Sequence, residues 1–365
     1  MITISKAKKF YRVAFAIFII SFCLTGIRGL KVPSWIISIT SVGLMLLLIS
    51  CFLMSYKKYF FKTSNIYIIG VILMIVLFLC TFKEMPITLL MCILCCFLPY
   101  YDIIEIFLYS MSIVFIIEAI LGGQNYLLIS KNTTGYLLLC FALAAIHFIH
   151  SKKTNVFIDW IILIIFFIFT GQVINSRTSA LLILFFGLIY ETNFFGKISH
   201  IKLYLITLLP LFLIAISLFF ARNYGNINWI SDINIFLSGR ISIWSSDWNF
   251  YHITLFPQAI ISKGFYFDPS VGYGWDIYAA DGLYALGVFL YGLVSFSILI
   301  FSLMYLLNKV AKQNNTNNQF YICTILVMTL YYFSETQVMN GKASFLLPLA
   351  VSSLITLNTL KMDNK

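Results

Sequence analysis

Arg240, Trp244, Asp247 and Tyr251 stand at i, i+4, i+7 and i+11, spacings that share one edge of a helix. A guanidinium, a carboxylate and two flat aromatic rings on one edge suit a sugar phosphate. The rings would cover apolar sugar faces and the guanidinium would hold the phosphate in a bidentate grip. The same residues also suit an interfacial anchor, with tryptophans at headgroup level. The two readings are compatible, because a lipid-borne substrate must be met at the interface. Ser238 is a plausible N-cap for this helix, which reads as running to about Leu255, with Pro257 just beyond it. Ile241, Trp244, Trp248 and Leu255 make an apolar side, and Ser242, Ser245, Ser246 and Asn249 fall away from it. That is the pattern of an amphipathic helix lying in the membrane plane.

Further candidates surround this stretch. Arg177 sits in the polar run Gln172-Val173-Ile174-Asn175-Ser176-Arg177-Thr178-Ser179 between two apolar segments. Arg222 opens the long polar interval, and Asp281 closes it as Asp281-Gly282-Leu283-Tyr284. His252 follows the amphipathic helix; it is either a surface residue or a base. Glu118 and Glu335 lie inside apolar runs, where a carboxylate is a functional suspect or the partner of a nearby cation such as Lys342.

The elements that must position these residues are membrane spans. Of the 365 residues, 61% are hydrophobic and only 10% are charged, against about 25% charged in water-soluble domains. The apolar runs are continuous rather than alternating, which selects helices over a barrel. Twelve candidate spans follow, near 11–27, 34–55, 64–82, 86–99, 102–121, 133–150, 156–175, 178–194, 202–221, 281–307, 319–339 and 343–360. The first is read as an uncleaved span after Lys6, Lys8, Lys9 and Arg12. The expected fold is therefore all-α: one polytopic domain over residues 1–365, with residues 222–280 as a long external loop.

Lysine and arginine orient it. With the N-terminus inside, inner segments hold fifteen basic residues and short outer loops hold six, which places both termini in the cytoplasm. Four of the five arginines (Arg28, Arg177, Arg222 and Arg240) fall outside, whereas fourteen of nineteen lysines fall inside. Topology needs only positive charge, so arginine on the outer side points to bidentate recognition of an anion.

Several chemistries find no residues here. There is no phosphate-binding loop and no glycine-rich strand-to-helix turn, so a nucleotide donor is not expected. No metal cluster is apparent: Cys92-x-x-Cys95-Cys96 has a ligand-like spacing, but all eight cysteines lie in apolar runs and read as packing residues. No cofactor is expected. The sequon Asn132-Thr133-Thr134 reads as chance.

In its span count, its long loop in the C-terminal half and its short motifs, the chain resembles the O-antigen polymerase (Wzy) family, within the wider O-antigen ligase and polymerase group. The motifs are Ser176-Arg177-Thr178-Ser179, Ser238-Gly239-Arg240-x-x-x-Trp244 and Asp281-Gly282-Leu283-Tyr284-x-Leu286-Gly287. Ligases of that group carry a histidine followed by asparagine late in the loop. Asp281 occupies the comparable place here, which favours polymerase over ligase. The resemblance implies a multi-pass glycosyltransferase of the bacterial inner membrane. It would use undecaprenyl-pyrophosphate-linked oligosaccharide and membrane lipid as partners, together with a chain-length regulator protein, and no nucleic acid. It also frames the roles. Arg177, Arg222 and Arg240 are candidates to meet the departing pyrophosphate, with Trp244 and Tyr251 against the sugars. Asp247, Asp281 or His252 would be the base. A lipid-linked oligosaccharide flippase, or an O-antigen ligase of the same group, is the alternative.

Cysteines introduced at Asn226 and Ser270 are expected to react with a membrane-impermeant thiol reagent applied to whole cells, and one at Asn315 only after lysis. Labelling of position 315 but not of the loop would invert the topology.

Overall fold

The computed structural model describes residues 4–24, 100–121, 131–150, 156–197, 206–237, 239–256, 258, 262–268, 272–278, 282–311 and 319–335. The expected spans at 34–55, 64–82, 86–99 and 343–360 lie outside these residues, as do Asp281 and Ser238. The described chain is predominantly helical: α1 Ile4–Leu24, α2 Tyr100–Leu121, α3 Lys131–His150, α4 Val156–Ile168, α5 Arg177–Glu191, the single turn α6 Phe194–Lys197, α7 Leu209–Asn223, α8 Asn228–Phe236, α9 Arg240–Phe250, α10 Leu283–Ala311 and α11 Gln319–Ser334. A π-helical turn, Phe169–Val173, continues α4.

Three of the segments are long and apolar enough to cross a membrane: Asp102–Ile120, Asn132–His150 and Val156–Val173. The last has a mean hydropathy of 2.3, yet only 17% of it is buried against the rest of the chain. Phe157, Ile161, Ile164, Ile165 and Ile168 all lie exposed. An apolar stripe of that length has no place in water; in hydrocarbon it needs no cover.

Contacts between helix ends sort them into two levels. Arg12 of α1 pairs with Asp102 at the start of α2. Gln319, at the start of α11, donates to the carbonyl of Tyr190 at the end of α5 (2.5 Å). At the other level, Asn132 at the start of α3 reaches Glu335 just past the end of α11 (3.3 Å), and Thr178 at the start of α5 meets Ser334 (3.4 Å). Helices α3, α4 and α5 thus run alternately up and down between the two levels. Close approach of α3 to α5 depends on Gly135, where a Cβ would sit 2.2 Å from the Ser176 hydroxyl.

Three local features depart from the sequence expectation. The helix begun at Arg240 ends at Phe250 rather than near Leu255, because Tyr251 turns extended (φ −115°, ψ 140°). The end of the loop carries a hairpin that the sequence reading did not contain: Ser262–Asp268 (β1) pairs antiparallel with Gly272–Tyr278 (β2), from Ser262 opposite Tyr278 to Asp268 opposite Gly272. Both segments are rich in aromatic residues, which favour strands, and they flank Pro269-Ser270-Val271. The fold is thus helical, with one two-stranded hairpin among the described residues.

The third departure is in the expected span at 281–307. It is two legs, Leu283–Val294 and Phe296–Tyr305, bent by 113°. The break sits at Gly292 (φ 70°, ψ 164°), a backbone conformation that only glycine adopts at no cost. Breaking a helix frees backbone groups that lipid cannot satisfy. The strap of residues after α9 satisfies them. The amides of Leu293 and Val294 donate to the carbonyls of Thr254 (2.8 Å) and Leu255 (3.2 Å). The Gln258 amide donates to the Leu290 carbonyl (3.3 Å), and its side chain donates to that of Phe289 (3.0 Å).

A Cβ at Gly292 would lie 2.5 Å from the Phe256 carbonyl carbon. Gly292→Ala is therefore expected to lose folded protein in detergent. Gly225→Ala, also at positive φ but with open space around it, is expected to lower stability by only about 1–2 kcal/mol. Equal melting temperatures for the two variants would show that the strap does not press on the break.

Candidate functional site

Helix α9 starts from a left-handed glycine, Gly239 (φ 83°). That turn is held by Asn234, which α8 supplies. The Asn234 carbonyl accepts from the Gly239 amide (2.8 Å), and its side-chain oxygen accepts from the Ser242 amide (3.1 Å). Its side-chain nitrogen donates to the Tyr224 hydroxyl (3.2 Å). The Ser242 side chain reaches back to the Gly239 carbonyl (2.6 Å). The first turn of α9 is thus fixed by side chains, satisfying donors that a helix start leaves open.

The turn delivers Arg240 into the bundle. Arg240 is buried, and its guanidinium pairs with the carboxylate of Glu335, which is also buried. Its Nη1 also donates to the Leu237 carbonyl (3.0 Å). The other Glu335 oxygen accepts from the Asn132 side chain (3.3 Å). Beside it, Ser334 meets Thr178, and Ser176 donates to Ser179 (3.2 Å). Four helix ends, those of α3, α5, α9 and α11, therefore meet in one polar network.

The edge that carries Arg240, Trp244 and Asp247 faces the bundle interior rather than solvent: all three are buried, with Ile241. This corrects the expectation that the edge is presented to a substrate from outside. The reason is apolar area. Ile241 and Trp244 pack with Ala221, Ile230, Ala285 and Leu286 in a small separate core, and Trp244 sits edge-on to Phe333 (5.6 Å, 78°). Gly282 leaves room for the indole, since a Cβ there would lie 2.8 Å from it. Trp248 is half-buried, edge-on to Phe289 (5.9 Å). Leu255 is exposed and off the helix. The carboxylate that answers Arg240 is Glu335, 95 residues away in the chain.

The other candidates stay at the surface. Arg177, Arg222 and His252 are exposed, and Tyr251 is half-buried. Arg222 lies in the last turn of α7, where a cation is favoured by the helix dipole. Arg177 is the first residue of α5, where the dipole disfavours a cation and favours an anion. Its position is therefore not explained by helix stability. Arg177 is next to Thr178, which touches Ser334, which adjoins the Glu335–Arg240 pair. Asp281 lies outside the described residues.

The roles of Asn132, Asn234 and Ser242 in this network escaped the sequence reading, which placed Ser242 only on the polar side of the helix. Asn132 was legible only as a sequon, and Asn234 carried no signal beyond standing shortly before a glycine turn. Glu335 was marked as an intramembrane carboxylate, but its partner was not.

No family model matches the sequence. No curated protein matches it either, nor does any solved structure.

Removing one member of a buried ion pair leaves the other charge desolvated, at a cost of about 3–5 kcal/mol. Arg240→Met and Glu335→Leu are each expected to lower the melting temperature of the purified protein sharply, and the double variant to recover most of the loss. Single variants that melt like the parent would show that the pair is not buried.

Proposed function

We propose that the chain is a membrane glycosyltransferase that polymerises lipid-pyrophosphate-linked oligosaccharide repeats, as the O-antigen polymerases it resembles do, on the outer side of a bacterial inner membrane. The observation that carries the reading is the convergence of four helix ends on the Arg240–Glu335–Asn132 network, with the exposed Arg177 one residue from it. A helix N-terminus and an arginine together form a positive site for a phosphate that leaves.

In this reading the hydroxyl oxygen of the acceptor repeat forms a bond to the anomeric carbon of the growing glycan. The bond from that carbon to the pyrophosphate oxygen breaks, and undecaprenyl pyrophosphate departs with the electron pair. The hydroxyl proton passes to a base. Arg177 and Arg222 are the cations accessible to the departing pyrophosphate. Arg240, held by Glu335, is a positioning residue for the wall of the site. Asp281 is the favoured base, because Asp247 is buried; His252 is exposed and is the alternative. Trp244 lines the interior of the wall, and Tyr251 stands at its rim.

One feature favours the flippase alternative: the break in α10 at Gly292, since interrupted helices line transport sites. The Arg240–Glu335–Asn132 network and the exposed Arg177 nevertheless share one level of the bundle, where an interfacial reaction needs them.

Purified protein incubated with lipid-linked repeat is expected to release undecaprenyl pyrophosphate and form a ladder of polymer. Arg177→Ala is expected to lower the rate by about 10²–10³-fold, as loss of a preorganised charge does, with little recovery in Arg177→Lys. Asp281→Asn is expected to cost about 10²–10⁴-fold and more than Asp247→Asn. Movement of the repeat across a bilayer without bond formation would establish the flippase instead.

A further inference from the structure

The opposite level of the bundle carries a second cluster. His150 is the last residue of α3, Asp159 lies in the first turn of α4, and Glu191 is the last residue of α5. One donor atom from each lies within 4.8 Å of the other two. In the sequence the three are separated by 9 and 32 residues (159 − 150 and 191 − 159), so no ligand spacing could reveal them. Three helices of alternating direction bring them together.

Their surroundings set this cluster apart from an ordinary surface group of acids. The Asp159 side chain is fully buried. One of its oxygens lies 3.3 Å from the His150 ring nitrogen, and the other is buried with no hydrogen-bond donor among the described residues. Both carboxylate oxygens of Glu191 are likewise buried with no donor among the described residues. Buried carboxylate oxygens are ordinarily hydrogen-bonded, paired or bound to metal. Here three of them, on two acids, share one small space with an imidazole.

We propose that His150, Asp159 and Glu191 bind one divalent cation of the Zn²⁺ or Mn²⁺ class, which ties the ends of α3, α4 and α5 together. One imidazole and two carboxylates form a mixed donor set that suits Zn²⁺ or Mn²⁺ better than Mg²⁺, which keeps its waters and takes oxygen ligands. Three donors bound at about 2.0–2.2 Å from a common ion stand about 3.3–3.8 Å apart, so donors within 4.8 Å of one another close on an ion by side-chain adjustments of about 1 Å. His150 is half-exposed, with 46% of its side chain accessible, which gives the ion an entry path and leaves a coordination position open to water. The cluster lies at the opposite ends of the helices from Arg177 and Asn132, so the ion is structural and takes no part in the glycosyl transfer proposed above.

The test uses full-length protein in detergent, without a histidine tag, stripped with a chelator and titrated with Zn²⁺ and then Mn²⁺. Bound metal is measured by elemental analysis after desalting, and stability by thermal melting. The expected result is one ion per chain and a melting temperature that rises with the logarithm of free metal. His150→Gln and Glu191→Gln are expected to lose at least ten-fold in affinity and the metal-dependent shift, while melting like the stripped parent without metal. His150→Gln alters a half-exposed side chain, so it remains informative if variants of the buried acids fail to fold. Failure of the parent to retain metal above the level of the His150→Gln variant would overturn the site, and would assign the acids to a shared proton. Neither readout depends on polymer formation.

Discussion

A guanidinium taken out of water must lie against a carboxylate, and the buried pair of Arg240 with Glu335 is the constraint on which the upper level of this protein depends. Such a pair contributes little net stability, because desolvation offsets most of the attraction. What it does is exclude other arrangements. Glu335 can be answered only if α11 ends where α9 begins, and its second oxygen is answered only if α3 begins there too. Asn234 and Ser242 set the turn that aims the arginine. The polar network is thus a registry device for four helix ends that apolar packing alone would let slide, since Leu, Ile and Phe faces are nearly interchangeable.

Backbone satisfaction imposes the second constraint. A helix bent by 113° exposes amides and carbonyls, and the strap after α9 meets them through Thr254, Leu255 and Gln258. The strap follows directly from α9, so the ion pair that fixes the start of α9 and the break in α10 are joined by one short run of chain. Trp244, lodged against Gly282 and Phe333, closes the same region from within. The loop that composition set apart as polar is therefore packed onto the bundle over residues 228–237 and 239–256.

The distribution of apolar area tells the same story from the other side. α3 and α11 are buried along most of their lengths, whereas α4 is bare over most of its surface. All three are apolar, α4 more so than α3, and the tertiary arrangement separates interior from lipid-facing. That is why none of their buried residues could be named beforehand: with hydrocarbon outside and side chains inside, there is no polar face to give the direction away.

Much was nonetheless settled by the amino-acid sequence. Continuous apolar runs and a 10% charged fraction determine helices in a membrane, because no other element hides its own hydrogen-bonding groups. The interval after Ala221 stood out as the polar stretch, the helix start at Arg240 was legible from Ser238-Gly239-Arg240, and Glu335 from its isolation in an apolar run. The tertiary structure alone decided which cation answers Glu335, which edge of α9 turns inward, where the tenth helix breaks, and that His150, Asp159 and Glu191 share one space. Each of these joins residues far apart in the chain or depends on which of two apolar faces finds a partner. Local spacing carries information about a single helix, and charges that meet across 95 residues leave no trace in it.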